Sequence, residues 1–475
     1  MFYRLNYGYK GRYLIETSGR YDGSSKFPVN EMWGFFPSAS AAWRISEEKF
    51  MEGTRSWLDN LKLRFSVGTL GNGNVDPYKF LPTMSIDKTG VIVGDGQVNY
   101  TSYPGLIPNN LTWEKVTTYD VGVDVDMFKN RLTIGFDWYR RNTTDMYTVG
   151  PTLPEVLGTT QPKGNYADLK TKGWELTLSW RDNFKLAGSD FHYGVKFMLW
   201  DSQSWITKYN NATGKLSDYY EGYRIGDIWG YNIEGLFTSY DEIANHADQD
   251  YMKISDSKIW QPGDLKFADL NGDGKIDKGA QTLSDHGDLV IVGNEEERYH
   301  YGFNLNVGWK GIGISAFFQG VGKRDWYPGQ ETGFFWGKYN RPYGYSLKMH
   351  ENRWTEENPN PNAYWPRLVG YSSENGGRPM GTPNNRYMQD ASYLRLKALT
   401  VDYSLPQAWV SKLGLTGLKI YFTGENLFTF SNVCENFDPE VIKGGDVDLK
   451  DRKGEEQGYS YPMLKTYTVG LNVSF

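Results

Sequence analysis

The residues best suited to chemistry in this 475-residue chain form one short acidic stretch, Asp269-Leu270-Asn271-Gly272-Asp273-Gly274-Lys275-Ile276-Asp277. Its spacing matches the first nine positions of a calcium-binding loop. Such a loop has side-chain oxygens at positions 1, 3 and 5, a glycine at position 6, a backbone carbonyl at position 7 and an acid at position 9. The predicted calcium ligands are Asp269, Asn271, Asp273, Lys275 and Asp277.

Position 12 of the same pattern does not fit a complete calcium site. A calcium loop carries a bidentate Glu there, whereas this chain has Ala280. The missing oxygen would have to come from elsewhere, for example from Asp264 or Glu295. The alternative is a polar turn in which Asp and Asn side chains bond to backbone N–H groups without an ion. No helical pattern flanks the stretch, so an EF-hand domain is not expected in either case.

A second candidate site is a long loop, residues 321–391, that is crowded with aromatic side chains. Its rings include Trp326, Tyr327, Phe334, Phe335, Trp336, Tyr339, Trp354 and Trp365. Exposed rings stack on sugars and grip peptides, and binding sites are often built from loops. We therefore predict substrate binding by six of them, namely Trp326, Tyr327, Phe335, Trp336, Tyr339 and Trp354. The alternative is that the rings pack on one another or on a partner protein.

The sequence offers little support for catalysis. The spacing of the five His residues suits neither a zinc site nor a Ser/His pair; they are His192, His246, His286, His300 and His350. With 57 Asp and Glu in the chain, pairs of acidic residues are expected by chance. No particular pair therefore indicates the two catalytic carboxylates of a glycosidase. The single Cys434 excludes an internal disulfide and a multi-cysteine metal site. We therefore do not expect an enzyme.

The composition is typical of a surface that meets lipid or sugar. Aromatic residues make up 16% of the chain, yet its mean hydropathy is −0.60, and amphipathic rings suit such a boundary. No apolar run reaches the roughly 18 residues of a membrane-spanning helix. A membrane crossing would therefore require strands closed into a barrel. The formal charge of −6, without a basic block, disfavours nucleic acid as a partner.

The elements that must position these loops are β-hairpins, and residues 118–141 show the pattern most clearly. Apolar side chains alternate with acids and glycine from Tyr119 to Asp126, and alternation resumes at Leu132 after a Lys129-Asn130 turn. This period of two predicts two paired strands, each with an apolar and a polar face. Acids on such polar faces are expected to be solvated wall groups of a barrel interior; they are Asp120, Asp124, Asp126, Asp137 and Glu175.

Similar patterns recur along the chain and predict about thirteen strands, whose connections alternate largely between short turns and long loops. Transmembrane barrels have this asymmetry, with short periplasmic turns and long extracellular loops. A soluble β-sandwich has no reason to separate its loops by length in this way. We therefore predict an all-β chain that forms a transmembrane antiparallel β-barrel. Residues 201–298 and 321–391 are its long extracellular loops.

The strand count and the first residues suggest a part of a longer protein. Bacterial barrels have an even number of strands, and the large outer-membrane transporters have 22 around a plugged lumen. We expect this chain to supply about the last 13 of 22 strands. Strand pattern begins directly after Met1, with no signal-peptide pattern before it.

Short motifs recurring in order along nearly the whole chain carry a resemblance to a known family. They include Arg20-Tyr21-Asp22-Gly23, Phe36-Pro37-Ser38, Leu111-Thr112-Trp113-Glu114, Pro262-Gly263-Asp264, Asp269-Leu270-Asn271-Gly272-Asp273-Gly274, Tyr393-Leu394-Arg395-Leu396-Lys397 and Gly424-Glu425-Asn426-Leu427-Phe428-Thr429. On these motifs the chain resembles the C-terminal β-barrel part of the SusC/RagA-type TonB-dependent outer-membrane transporters of Bacteroidota.

The resemblance implies import of oligosaccharides or peptides across the bacterial outer membrane, energised through TonB, usually beneath a SusD-like lipoprotein. The plug domain, the TonB box and the early strands of the family have no match in this sequence. A different class of function is a soluble or surface-anchored all-β carbohydrate-binding protein or adhesin. A third is a secreted glycoside hydrolase.

Overall fold

The structure is a computed structural model that describes residues 1–108, 110–159, 161–253, 259–329, 332–340, 344–369, 378–442 and 461–475. The two predicted loops are described except for residues 254–258 of the first and residues 330–331, 341–343 and 370–377 of the second. Those segments of the two predictions lie outside the described residues.

The described chain consists mainly of β-strands, as the sequence predicts. In chain order they are β1 (Phe2–Tyr9), β2 (Tyr13–Gly23), β3 (Trp33–Arg44), β4 (Leu58–Asn72), β5 (Ile86–Val93), β6 (Gly96–Thr101), β7 (Glu114–Met127), β8 (Leu132–Val149), β9 (Lys163–Leu186), β10 (Ser189–Lys208), β11 (Asp227–Gly230), β12 (Ile233–Leu236), β13 (Leu265–Phe267), β14 (Val290–Asn294), β15 (Arg298–Trp309), β16 (Ile312–Lys323), β17 (Asp325–Trp326), β18 (Gln389–Asp390), β19 (Tyr393–Ser404), β20 (Gly417–Ser431) and β21 (Thr466–Ser474).

Helices within the described ranges are short. The α-helices are α1 (Tyr240–Ala244), α2 (Gly333–Trp336), α3 (Arg378–Gly381) and α4 (Gln407–Val410). The 3₁₀ helices are Ile45–Glu47, Lys49–Thr54, Glu155–Leu157, Asp250–Met252, Gly337–Tyr339, Lys348–Glu351 and Ser411–Leu413. Among the residues that the structure describes, no helix is both long enough and apolar enough to cross a membrane.

Thirteen strands form one sheet in the order β1-β2-β3-β4-β7-β8-β9-β10-β15-β16-β19-β20-β21, which confirms the predicted all-β antiparallel architecture. Strands that are adjacent in this sheet are also consecutive in the chain, apart from small two-stranded sheets inserted in the loops. These are β5 with β6, β11 with β14, β12 with β13, and β17 with β18.

The connections alternate between the two ends of the strands, and those at one end are generally the longer. The short ones are residues 10–12, 45–57, 128–131, 187–188, 310–311 and 405–416. The other end carries residues 24–32, 73–113, 150–162, 209–297, 324–392 and 432–465. Only one connection at this end, residues 24–32, is shorter than two at the opposite end, namely residues 45–57 and 405–416. The predicted loop boundaries at 201 and 298 are displaced because β10 continues to Lys208 and β15 begins at Arg298.

The hairpin predicted for residues 118–141 is confirmed. Strands β7 and β8 pair with Val121 opposite Trp138 and Val123 opposite Phe136. Phe128, Lys129 and Asn130 all have positive φ angles in the turn. The apolar face is open, since Trp138 is 41% exposed and Tyr119 is 48% exposed.

The polar face of the same hairpin differs from the predicted row of solvated acids. The Arg64 guanidinium donates to both carboxylate oxygens of Asp124, at 2.9 and 3.0 Å, and also reaches Asp137 at 2.9 Å. Arg64 lies on β4 and Asp137 on β8, so this contact crosses β7 above Gly122. A Cβ atom at Gly122 would lie 2.1 Å from an Asp137 oxygen and 2.7 Å from an Arg64 nitrogen. The glycine thus leaves room for an ion-pair network that joins three strands.

The chain divides into two compact units. One comprises residues 1–178 and 201–224, and near its long loops it has a core cluster of five buried residues: Phe27, Phe36, Val75, Leu111 and Trp113. The other comprises residues 179–200 and 225–475, and it contains both predicted functional stretches, the acidic one and the aromatic one.

Candidate substrate and metal sites

The acidic stretch forms a compact turn in which side-chain oxygens accept backbone hydrogen bonds. The two carboxylate oxygens of Asp269 accept from the N–H groups of Gly272 and Gly274, at 2.7 and 2.9 Å. Asn271 accepts from the N–H of Asp273 at 3.0 Å, and Asp273 from that of Lys275 at 2.9 Å. These are the contacts of the alternative considered from sequence, a polar turn supported by its own side chains.

Asp288 closes this turn, and sequence analysis did not identify it. Its side chain is 1% exposed. One carboxylate oxygen accepts from the Leu270 N–H at 2.7 Å and the other from the Asp277 N–H at 3.0 Å. A carboxylate that accepts two backbone hydrogen bonds is well satisfied without a cation. No local pattern marks Asp288, because it lies well beyond the nine-residue motif.

One of the two residues proposed for the missing calcium position, Asp264, has another partner. Asp264 forms a buried ion pair with Arg367 at 2.7 Å, which holds it elsewhere. Within the described ranges, no group of three or more His, Cys, Asp or Glu side chains is arranged to hold a metal ion. The residues as placed fit a self-supporting turn. Calcium binding by Asp269, Asn271, Asp273, Lys275 and Asp277 stays a prediction.

The predicted substrate-binding rings lie largely inside the protein. Phe335 and Trp336 are 0% exposed and Tyr339 is 1% exposed. Trp326 and Trp354 are also buried, and Tyr327 is partly exposed. As placed, most of these rings present no open face to a ligand, so a ligand would reach them only if the loop opened. Their role in substrate binding stays a prediction.

Most of the rings pack on one another in what we call the aromatic cluster, comprising Tyr327, Phe335, Trp336, Tyr339, His350, Tyr364, Trp365 and Tyr387. Trp365 is its centre. Its ring stacks on Tyr339 at 4.9 Å and on Tyr387 at 5.2 Å, and it meets Trp336 edge-on at 6.0 Å. The polar atoms are satisfied as well, since the Trp365 indole donates to the Met349 carbonyl at 3.0 Å. Aromatic pairs of this kind stabilise a fold by more than the burial of their apolar surface alone.

Burial shifts the acid–base properties of the aromatic cluster. Desolvation raises the pKa of Tyr364 to about 12, although Gln389 and Arg386 oppose the shift. Burial also lowers the pKa of His350 below its ordinary value, with Arg353 adding to the shift and two backbone hydrogen bonds opposing it. The Leu347 N–H donates to Nδ1 of His350 at 2.8 Å. The other ring nitrogen, Nε2, therefore carries the proton and donates to the Phe335 carbonyl at 2.8 Å.

Because the pKa of His350 is lowered in the folded loop, we expect the loop to lose stability in mild acid. The contribution of neutral His350 is fully present above the ordinary value of about 6.5 and is lost as the pH falls through the lowered pKa. Protonation of Nδ1 would replace the acceptor of the Leu347 N–H by a second donor, so the two N–H groups would repel each other. Proteolysis within residues 344–369 should accelerate as the pH falls from 7.5 to 5. His350→Gln should flatten this dependence, whereas His300→Gln, on strand β15, should leave it unchanged.

Two contacts fix the aromatic loop to the preceding long loop. Gly263 has φ +89°, and a Cβ atom there would lie 2.3 Å from the Trp354 ring, so only glycine fits beneath this ring. The neighbouring Asp264 pairs with Arg367 at 2.7 Å. Sequence analysis noted the Pro262-Gly263-Asp264 motif but not its partner Arg367, which follows about a hundred residues later.

Comparison with known proteins places the fold. Residues 1–272 match the family model described as TonB dependent receptor-like, beta-barrel. Over its whole length the chain is similar to two TonB-dependent receptors of Formosa agariphila, with identities of 29% and 31%, of which it covers 45% and 46%. It is also 27% identical to the TonB-dependent receptor SusC of Bacteroides thetaiotaomicron and covers 43% of that protein.

Among solved structures, the RagAB peptide transporter is similar over the whole chain, with a TM-score of 0.74 and 24% identity. The chain covers 47% of the matched RagAB chain. At this identity the likeness shows the fold alone. The chain spans less than half the length of the three TonB-dependent receptors.

Proposed function

Since the chain belongs to the TonB-dependent receptor β-barrel family, whose members are outer-membrane transporters and receptors rather than enzymes, we propose that it is the C-terminal barrel portion of an importer. The importer carries oligosaccharides or peptides across the outer membrane and draws energy through TonB. Residues 209–297 and 324–392 are its long extracellular loops. The outer-membrane location follows from the family and disfavours the soluble adhesin and the secreted hydrolase.

The observation that carries this proposal is the pairing of an open apolar strand face with long loops at one end of the sheet. Outward rings such as Tyr119 and Trp138 are about half exposed, which suits contact with lipid. The loops at one end are large enough to fold into structures of their own, as the aromatic cluster shows. A binding surface can be built on such loops while the strands remain fixed.

The partners in this proposal are a SusD-like lipoprotein over the long loops and TonB on the periplasmic side. Support comes from the similarity to SusC and to the RagAB peptide transporter. TonB would act through the N-terminal region of the importer rather than through these strands. Substrate would be held between the loops and a plug domain, and it would be admitted when TonB pulls on the plug.

The proposal is tested by uptake in the bacterium that produces the protein. Cells are given fluorescent peptide pools and fluorescent oligosaccharide pools, and uptake is compared among the wild type, a strain lacking this gene and a strain lacking tonB. We expect one pool to be taken up by the wild type and lost in both deletion strains. Uptake that persists in both strains, or release of the protein into aqueous buffer without detergent, would contradict the proposal.

A further inference from the structure

A cavity of about 410 Å³ lies at the long-loop end of the first compact unit, which contains neither the acidic stretch nor the aromatic loop. Its wall includes Asn74, Lys79, Pro108, Tyr147, Gln161 and Lys163. The volume lies within the range of roughly 300–1,000 Å³ that is common for small-molecule sites. All of these residues belong to loops or to the loop ends of strands, where a ligand arriving from outside would meet them.

The floor of this cavity is rigid. Val75 is 6% exposed and belongs to the core cluster with Phe27, Phe36, Leu111 and Trp113, and Tyr147 packs against the same cluster. Trp113 is further fixed because its indole donates to the Met32 carbonyl at 3.3 Å. A cavity whose floor is part of a packed core is formed before any ligand arrives, which lowers the entropic cost of binding.

The segments that supply Pro108 and Pro162 to the lining are also held in place by hydrogen bonds. Asn165 accepts from the Thr112 N–H at 2.9 Å and donates to the Thr112 carbonyl at 3.0 Å. The Asn110 side chain donates to the Asn165 carbonyl at 2.8 Å. The Gly150 N–H donates to the carbonyl of Pro162, which lines the cavity. The segments before β7 and β9 therefore form one fixed surface.

The lining combines apolar and amide groups in a way that suits a sugar. Tyr147, Pro108 and Pro162 supply ring and apolar surface for a sugar face. Asn74 and Gln161 supply amides, which both donate and accept hydrogen bonds, as sugar hydroxyls do. A peptide is more often bound by its backbone along a free strand edge, and most of the lining lies in loops rather than in strands. These features favour a sugar over a peptide.

The charges around the cavity favour an anionic group on that sugar. Two lysines, Lys79 and Lys163, face one acid, Asp76. Asp76 and Lys79 form an exposed ion pair at 3.5 Å. Lys163 makes no ion pair with any residue in the described part of the chain. Its ammonium is therefore available to a carboxylate or a sulfate.

We propose that this cavity is a binding subsite for acidic oligosaccharides, in which Tyr147 stacks on a sugar ring and Lys163 pairs with its anionic group. The inference rests on the proposed importer and names the substrate class at one of its loops. Binding in detergent requires neither TonB nor transport, so its outcome is independent of the uptake experiment.

The test is titration of the detergent-purified full protein with three hexamers: an oligogalacturonate, a neutral galacto-oligosaccharide, and a peptide whose only carboxylate is at its C-terminus. We expect the oligogalacturonate to bind most tightly and to weaken with added salt. Lys163→Gln should weaken its binding about tenfold or more and leave neutral-sugar binding nearly unchanged. Lys163→Glu should weaken it further.

Lys88→Gln is the matched control, because Lys88 is also exposed and lies in the 73–113 connection that supplies part of the lining, but it does not line the cavity itself. It should bind all three hexamers like the unmodified protein. Equal affinity for acidic and neutral sugars, or equal losses in the Lys163 and Lys88 variants, would overturn the proposal. If the peptide bound more tightly than either sugar and Lys163→Gln weakened its binding, the cavity would bind peptides rather than sugars. Lys163 is exposed, so misfolding of its variants is not expected.

Discussion

Replacing Trp365 by alanine is expected to open the aromatic loop. The indole is 0% exposed and touches Phe335, Trp336, Tyr339 and Tyr387. Truncating such a ring removes its burial and leaves a cavity, which typically costs about 3–5 kcal/mol. Native-state hydrogen exchange should report this loss as reduced protection of residues 344–369. The strands of the sheet should keep their protection, since the cluster lies outside them.

The matched control is Tyr345→Ala, because Tyr345 lies in the same loop but is 74% exposed. It should change protection by less than about 0.5 kcal/mol. The pair of variants also separates the two roles considered for these rings. If Trp365→Ala removed substrate binding while protection stayed intact, the ring would act on the substrate directly. If protection and binding were lost together, the ring would act through packing.

Features that depend on neighbours in the chain could be predicted from sequence. The β7–β8 hairpin is an example, because alternation between Tyr119 and Asp126 and again after Leu132 reflects side chains that point to opposite faces of one strand. The turn at Lys129 and Asn130 follows from its position between two such runs. The count of thirteen strands in the sheet is the sum of many such local patterns.

Features that depend on distant partners could not be predicted. Alternation places Asp124 and Asp137 on a polar face, but nothing near them in sequence indicates that Arg64 from another strand binds both. The same applies to Asp264 and Arg367, which are 103 positions apart. Aromatic composition likewise identifies rings in one loop without showing whether they face solvent or one another. Whether a polar or aromatic residue is free for a ligand depends on these distant contacts.

The cavity that Tyr147 lines is another feature that could not be predicted from sequence. Its lining comes from four separate segments, around Asn74, around Pro108, at Tyr147 on β8 and around Gln161. Each segment alone is an ordinary loop or strand end. Nothing in the sequence shows that the core cluster brings these segments together, because Val75 lies more than thirty positions before Leu111 and Trp113 in a long connection. The candidate site therefore emerges only from the packing beneath the loops.

Arg395→Leu is expected to release the segment 433–442 from the sheet. Arg395 is 3% exposed, and its guanidinium pairs with Asp438 and Glu440, both at 2.5 Å. Lys397 also binds Glu440, at 2.7 Å, so two cations balance two anions. Removing one cation leaves a buried negative charge without a partner, which typically costs about 3–5 kcal/mol. Hydrogen exchange should show lost protection in residues 433–442 and near Met463, whose N–H donates to Asp438 at 2.9 Å.

A matched surface pair distinguishes this effect from the loss of any ion pair. Lys419 and Asp402 lie 2.9 Å apart on the same sheet, and the Lys419 side chain is 44% exposed. Lys419→Leu should therefore cost less than about 1 kcal/mol. The double variant Arg395→Met with Asp438→Asn should recover much of the protection, because Lys397 still neutralises Glu440 and no unpaired charge remains. Equal effects of Arg395→Leu and Lys419→Leu would show that the buried network does not hold the segment. Failure of the double variant to recover protection would instead assign the loss to the hydrogen bonds of Asp438.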